Sequence, residues 1–197
     1  MTHVRLQTTT VAAFLIAAAT VLSVSSTRAQ EAFTRGKVSA SVIAGYGAAT
    51  QGDSDRNPYA STLGASAGYS LGFGLYLGAM ADYFVGDSEY LFGSGSQVTR
   101  LSYDWSHMAA EIGFDLPAAK LVVRPSLGVG AAIYGACFGD ACDSDTFLLL
   151  APAVVVHAPL GERSFFSFTL RYLHVPGSDD VDPHDGAMFG LGLGAVL

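Results

Sequence analysis

From residue 37 onward the chain alternates large apolar with small or polar positions at a period of two. That is the spacing of a strand whose two faces meet different surroundings. The alternation recurs in eight segments: 37–48, 59–70, 73–84, a fourth ending at Phe114, 121–134, 147–157, 164–174 and 187–197. Each is close to the ~9–11 residues that a tilted membrane-spanning strand requires. In the first, Val38, Ala40, Val42, Ala44 and Tyr46 oppose Ser39, Ser41, Ile43 and Gly45; in the last, Phe189, Leu191, Leu193, Ala195 and Leu197 oppose Gly190, Gly192, Gly194 and Val196. Two segments are less regular. Met108, Ala110, Ile112 and Phe114 share a face, whereas Leu101, Tyr103 and Trp105 alternate in the opposite phase. Either a bulge near Ser106 restores the phase, since one extra residue flips the face, or residues 98–105 form a hairpin above the membrane. Segment 147–157 is apolar on both faces; we assign Leu148, Leu150, Val154 and Val156 to the outside and the small Ala151 and Ala153 to the inside.

What each face meets decides the fold. A soluble sandwich turns its large apolar residues inward and its charges outward. Here the second face is too rich in glycine and too poor in charge for a solvated surface. The inverse assignment fits: large residues face lipid, small and polar ones fill a narrow interior. In lipid every backbone group must be paired, so the sheet must close. The sequence thus predicts an all-β, closed antiparallel transmembrane β-barrel of eight strands over residues 37–197, with just enough interior for side chains. Tyr46, Tyr59, Tyr69, Phe73, Tyr83, Phe114, Phe166, Tyr172 and Phe189 stand near strand ends and suit the interfacial aromatic girdles. Connections alternate in length, short around 70–72, 117–119 and 158–163, long over 49–58, 85–100, 135–146 and 175–186. In outer-membrane barrels the short turns are periplasmic and the long loops extracellular, which places both termini in the periplasm.

The first 29 residues read differently. Arg5 precedes an apolar run over 11–24, and Thr27 and Ala29 satisfy the small-x-small rule for signal peptidase. We expect a signal peptide at 1–29, cleaved after Ala29, then a short leader at 30–36. Its removal takes Arg5 and Arg28, leaving eight basic residues against all 17 acidic ones, a net charge of about −9 with histidine neutral. That excludes a nucleic-acid partner, which needs a basic footprint. The two cysteines, Cys137 and Cys142, lie in the exported part, where oxidation is permitted. Two thiols do not make a four-ligand metal site, and we read them as a loop disulfide. No cofactor is indicated.

The chain resembles the small eight-stranded outer-membrane barrels of the OmpA/OmpX type. The likeness covers residues 37–197 and rests on repeated strands such as Gly74-Leu75-Tyr76-Leu77-Gly78-Ala79-Met80-Ala81-Asp82-Tyr83-Phe84. It implies the outer membrane of a Gram-negative bacterium, a monomer among outer-membrane lipid and lipopolysaccharide, and insertion by the barrel-assembly machinery. Members of that family end in an aromatic residue; this sequence ends in Leu197 and keeps the alternation leading to it. The implied role is non-enzymatic, structural or surface-interactive.

Three constellations are candidates for chemistry. Asp82, Glu111, Arg124 and Arg171 fall on the interior face. Glu111 and Arg124 flank one turn as direct or diagonal neighbours, close enough to pair. Asp82 and Arg171 stand at similar heights on opposite walls. Such ion pairs satisfy buried charge; the alternative is a narrow ion path. Acidic loop residues come second: Asp53, Asp55, Asp87, Glu89, Asp140, Asp143, Asp145, Asp179, Asp180, Asp182 and Asp185. Carboxylates suit divalent cations such as calcium, although no EF-hand spacing is present and charge runs usually mark solvated segments. His174 comes third. Arg171-Tyr172-Leu173-His174 is loosely similar to the approach to the catalytic histidine of outer-membrane lipid A deacylases, with Asp179 or Asp182 to orient it. Where that family has a serine two residues on and then asparagine, this chain has Pro176 and Gly177, and Ser178 is the nearest hydroxyl.

Overall fold

The computed structural model describes residues 36–50, 57–92, 98–138, 141–176 and 185–197. The expected signal peptide and nearly all of the 30–36 leader lie outside these residues. One antiparallel sheet contains β1 (Lys37–Ala49), β2 (Ser61–Ser70), β3 (Leu75–Phe92), β4 (Val98–Phe114), β5 (Leu116–Ala118), β6 (Leu121–Phe138), β7 (Ala141–Pro159), β8 (Ser164–Leu173) and β9 (Gly186–Val196). Its order is β4-β3-β2-β1-β9-β8-β7-β6-β5, and β4 also pairs with β6, so the sheet closes on itself. The three-residue β5 continues β4 past Asp115 along the same partner, β6. The wall therefore has eight strands, the closed all-β barrel that the alternation predicts.

Side-chain parity gives the barrel its two surfaces. Val42, Leu63, Leu77, Ile112, Val129, Leu148, Leu170 and Leu193 stand outward and exposed. They meet across strands in rows such as Leu77↔Ile112↔Leu127 and Val42↔Leu193. Exposing such a belt to water is unfavourable at roughly 25 cal/mol per Å², a penalty that lipid tails remove. In β7, Leu149, Ala151, Ala153 and Val155 are buried while Leu148 and Val154 stand outward, which fixes the phase left open by that apolar run. The interior is crowded. Gly68 and Gly78 flank the ring of Tyr76, and Gly194 lies against that of Phe165; a methyl group at any of the three would overlap the ring.

Three expectations need correction. First, there is no bulge at Ser106. The β4–β6 register runs unbroken from Leu101 to Gly113, and the one register shift lies in β3, between Val85 and Ser88. Trp105 is in phase with His107 and fully buried; a large aromatic residue here belongs to the interior, where it tops the lumen. Second, Tyr59 is no girdle residue. It precedes β2, is fully buried and packs its ring against Gly186. Asn57 holds this entry, with its Oδ1 accepting from the N–H of Tyr59 and Ala49 and its Nδ2 donating to the Gly47 carbonyl. Third, much of the expected loops 85–100 and 135–146 is strand. Pairing continues to Phe92↔Val98 and to Phe138↔Ala141. β3, β4, β6 and β7 have 18, 17, 18 and 19 residues, well beyond the ~9–11 needed to span. They rise past the ends of β2 and β8 as a four-stranded sheet. Cys137 and Cys142 face each other near the tip of its β6–β7 hairpin, Cα atoms 4.1 Å apart, joined by a disulfide.

Candidate functional site

The lumen is built in three tiers. Nearest the short turns, Arg124 donates through Nε to Asp115 Oδ1 at 2.7 Å and through Nη2 to Oδ2 at 3.2 Å. Ser70 Oγ donates to Asp115 Oδ2 at 2.6 Å, and the guanidinium lies 3.6 Å from the Tyr76 ring centroid. Both charged side chains are buried. In the middle tier Arg171, from β8, reaches across to β3 and β4. Its Nη1 donates to Asp82, and its Nη2 lies 3.4 Å from Glu111 Oε1. Ser126 Oγ stands 3.5 Å from the same Glu111 oxygen. The upper tier is aromatic. Phe84 lies 5.2 Å from Tyr59 and 4.9 Å from His107, and Trp105 lies 5.1 Å from Tyr134. Leu149, Leu173 and Met188 complete this plug.

Arg124 therefore does not pair with Glu111. Register explains it. Gly113 faces Ser126 and Leu116 faces Val123, so Asp115 stands across from Arg124, while Glu111 faces Gly128. Arg171 takes Glu111 together with Asp82. Sequence reasoning missed Asp115 because it sits beside Pro117 at a turn. Its signal was its parity, shared with Glu111 and Gly113. The arrangement gives each of these buried charges a partner, with two carboxylates sharing Arg171 in the middle tier, and packs the lumen from turn to rim.

The outer wall carries a second cluster. His174, outward by phase, approaches Asp185 through Nδ1 at 3.0 Å. Asp185 also accepts from Tyr172 Oη at 2.7 Å and from the Val175 N–H at 3.1 Å. Burial alone would raise the Asp185 carboxyl, but bonds from Tyr172, His174 and Val175, and the His174 charge, hold it below the usual carboxylate range. Among the described residues Asp185 is the carboxylate bonded to His174; Asp179 and Asp182, expected to orient it, lie outside the described residues, as do Ser178, Asp53, Asp55, Asp140 and Asp180. Nothing is described of the Asp87 and Glu89 side chains. Asp143 and Asp145 are exposed on β7. Among the described residues no group of three or more His, Cys, Asp or Glu side chains is arranged to hold a metal ion.

No family model and no curated protein matches the chain. Solved structures do. A major outer membrane protein from Thermus thermophilus superposes with a TM-score of 0.58 at 13% identity, covering 82% of this chain and 99% of that one. Ail, the attachment invasion locus protein of Yersinia pestis, solved in complex with the heparin analogue sucrose octasulfate, gives 0.55 at 14%, covering 83% and 99%. The N-terminal β-barrel domain of Pseudomonas aeruginosa OprF gives 0.51 at 15%, covering 83% and 100%. At these identities the likeness is one of fold: the chain has the small, closed eight-stranded barrel fold of these outer membrane proteins.

Proposed function

We propose that the protein is a non-enzymatic barrel of a Gram-negative outer membrane that presents a β-sheet for interaction at the cell surface. One observation carries this reading: β3, β4, β6 and β7 continue as paired strands far beyond the wall. A barrel needed only to span would end them with β2 and β8. The short turns, the start of β1 and the end of β9 then face the periplasm, and the belt of outward leucine, valine and aromatic residues sits among outer-membrane lipid and lipopolysaccharide. The tiered lumen suits a scaffold, since every layer is occupied by packed side chains. The heparin analogue bound by Ail is polyanionic. The exposed Asp143 and Asp145 and the acidic balance of this chain disfavour that ligand class here.

The test is an epitope inserted in the sequence between Phe138, which ends β6, and Ala141, which begins β7. Antibody should label intact cells expressing it, and the purified barrel should migrate faster unboiled than boiled in detergent gels. Labelling only after permeabilisation would overturn the orientation. A second reading has one observation in its favour. Asp185 meets the half-exposed His174 imidazole at 3.0 Å, the kind of carboxylate–imidazole contact that the base half of a hydrolytic site uses. Lipid A mass spectra from cells with and without the protein decide it; unchanged acyl chains remove the hydrolase.

A further inference from the structure

Two prolines stand well inside the long strands of the wall, Pro125 in β6 and Pro152 in β7. Each interrupts the pairing on one side. At Pro125 the break falls at the turn end, where β4 gives way to β5 and Asp115 turns its N–H to the Gly74 carbonyl. At Pro152 it falls within the wall. β7 meets β8 at Ala153↔Arg171 and again at Leu150↔His174, in the same register, with no β7–β8 pairing at the residues between. Leu150 and His174 exchange both backbone hydrogen bonds, at 2.8 and 2.9 Å. Hydrogen-bonded pairs alternate along an antiparallel ladder, so the next such pair is Pro152 with Tyr172. Proline has no N–H to give. The Tyr172 carbonyl therefore lacks its ladder donor, and no other donor among the described residues takes that place.

An unmet carbonyl is costly in a lipid-facing wall, where no bulk water replaces the missing bond. The surroundings decide from which side a donor can come. On the lumen side Leu149, Ala151 and Leu173 are fully buried in the packing. Above, the seam is shut by the Leu150–His174 bridge and by Asp185, which bonds to Tyr172 Oη and His174 Nδ1. The approach that remains is the outer face, past the outward side chains of Val154, Leu170 and Tyr172. A donor arriving there must be carried on an amphiphile. His174 stands two residues beyond Tyr172 with its side chain 45% exposed. Asp185 accepts from Nδ1, which leaves Nε2 of the neutral ring as a second acceptor. Two acceptors with a carboxylate behind them suit a hydroxylated headgroup and disfavour a phosphate. We infer that the Pro152–Tyr172 seam is a lipid-binding site. In it the Tyr172 carbonyl accepts a hydrogen bond from a hydroxyl at the head–chain boundary of a glycolipid, and His174 accepts a second. That this lipid belongs to the outer leaflet rests on the orientation proposed above; the binding itself does not.

The test uses the full barrel in nanodiscs of phosphatidylcholine, a lipid without hydrogen-bond donors. Dodecyl glucoside is titrated in as the probe, and dodecylphosphocholine, the same chain without a donor, is its control. The carbonyl carbon resonance of Tyr172 reads the bond, since accepting a hydrogen bond moves it downfield. Glucoside should move it saturably, and phosphocholine should not. Pro152→Ala returns the missing N–H to the ladder. Its Tyr172 carbonyl should start downfield and stay there, with glucoside binding weakened about three- to tenfold, the worth of one hydrogen bond. His174→Phe should weaken binding by a similar factor. Val154→Ala trims the same face without touching the ladder and should bind as the unaltered protein does. A response in Pro152→Ala equal to that of the unaltered barrel would overturn the seam site. So would equal shifts from the two amphiphiles, or a Tyr172 carbonyl already downfield in phosphatidylcholine alone, the mark of a resident water. If Pro152→Ala does not refold, the two amphiphiles on the unaltered barrel decide the matter. Epitope labelling of whole cells reads the orientation separately, so its failure and failure of this site are told apart.

Discussion

Arg171→Met tests the logic of the lumen directly. Arg171 serves two carboxylates at once, and all three side chains are nearly inaccessible: 1% exposed for Arg171, 1% for Asp82 and 5% for Glu111. Methionine matches much of the volume and keeps contact with Met188, but it removes the charge. Breaking a buried pair by deleting one partner costs roughly 3–5 kcal/mol, because the remaining charge is left uncompensated. Two carboxylates are stranded here, so the upper end of that range is expected. Adding Asp82→Asn and Glu111→Gln to the same variant removes the stranded charges, and most of the loss should return, since replacing a whole buried ion set is often near neutral. Urea unfolding in lipid vesicles reads the result. The chain's single tryptophan, Trp105, sits in the plug just above this tier and reports unfolding by fluorescence, with heat-modifiable migration as a second probe. A loss under about 1 kcal/mol for Arg171→Met, the size of an exposed pair, would refute the argument. So would a triple variant no more stable than the single one.

Three further outcomes are expected. Gly68→Ala drives a methyl into the Tyr76 ring and should cost about 1–3 kcal/mol in the same assay, whereas Ala67→Val next door, on the lipid face, should stay within about 0.5 kcal/mol. Purified protein in planar bilayers should be electrically silent over a wide voltage range, because the aromatic plug and both ion tiers fill the lumen; reproducible unit conductance would restore the narrow ion path. Asp185 is held below the usual carboxylate range, so its contribution is present above that range and lost as pH falls through the lowered value. Asp185→Asn should flatten the acid limb of stability against pH without moving the neutral plateau's shape; an unchanged acid limb would contradict the Tyr172–Asp185–His174 cluster.

The architecture was legible in the sequence because parity is a strong signal when both faces are distinctive. Strands β1, β2, β3, β8 and β9 announce themselves by apolar residues alternating with glycine, serine and threonine. The misreadings share one cause, the rule that large residues face lipid. Trp105 and Tyr59 break it at the rim, where the lumen narrows onto aromatic rings instead of glycine. The expected loops 85–100 and 135–146 look polar because their strands stand in water, where the outward face needs no apolar belt. Arg124 was given Glu111 because spacing around a turn was counted without the three residues of β5. That extra pairing carries the register past Asp115. Of the outer cluster, His174 was visible by its phase. Asp185 was hidden among the loop carboxylates, since only three-dimensional pairing distinguishes one aspartate from its neighbours in a run.

The glycines around Tyr76 and Phe165 have a consequence for how this chain can diverge. In a soluble domain the buried face is the large apolar one, and substitutions accumulate on the small polar positions. In this barrel the constraint is turned inside out. Leucine, valine, isoleucine and phenylalanine on the outer wall need only be soluble in hydrocarbon and can exchange for one another. Gly68, Gly78 and Gly194 are locked by rings that have nowhere else to go. Descendants of this sequence should therefore keep their smallest residues and scramble their largest, so likeness scored on hydrophobic identity would fade while the barrel itself persisted.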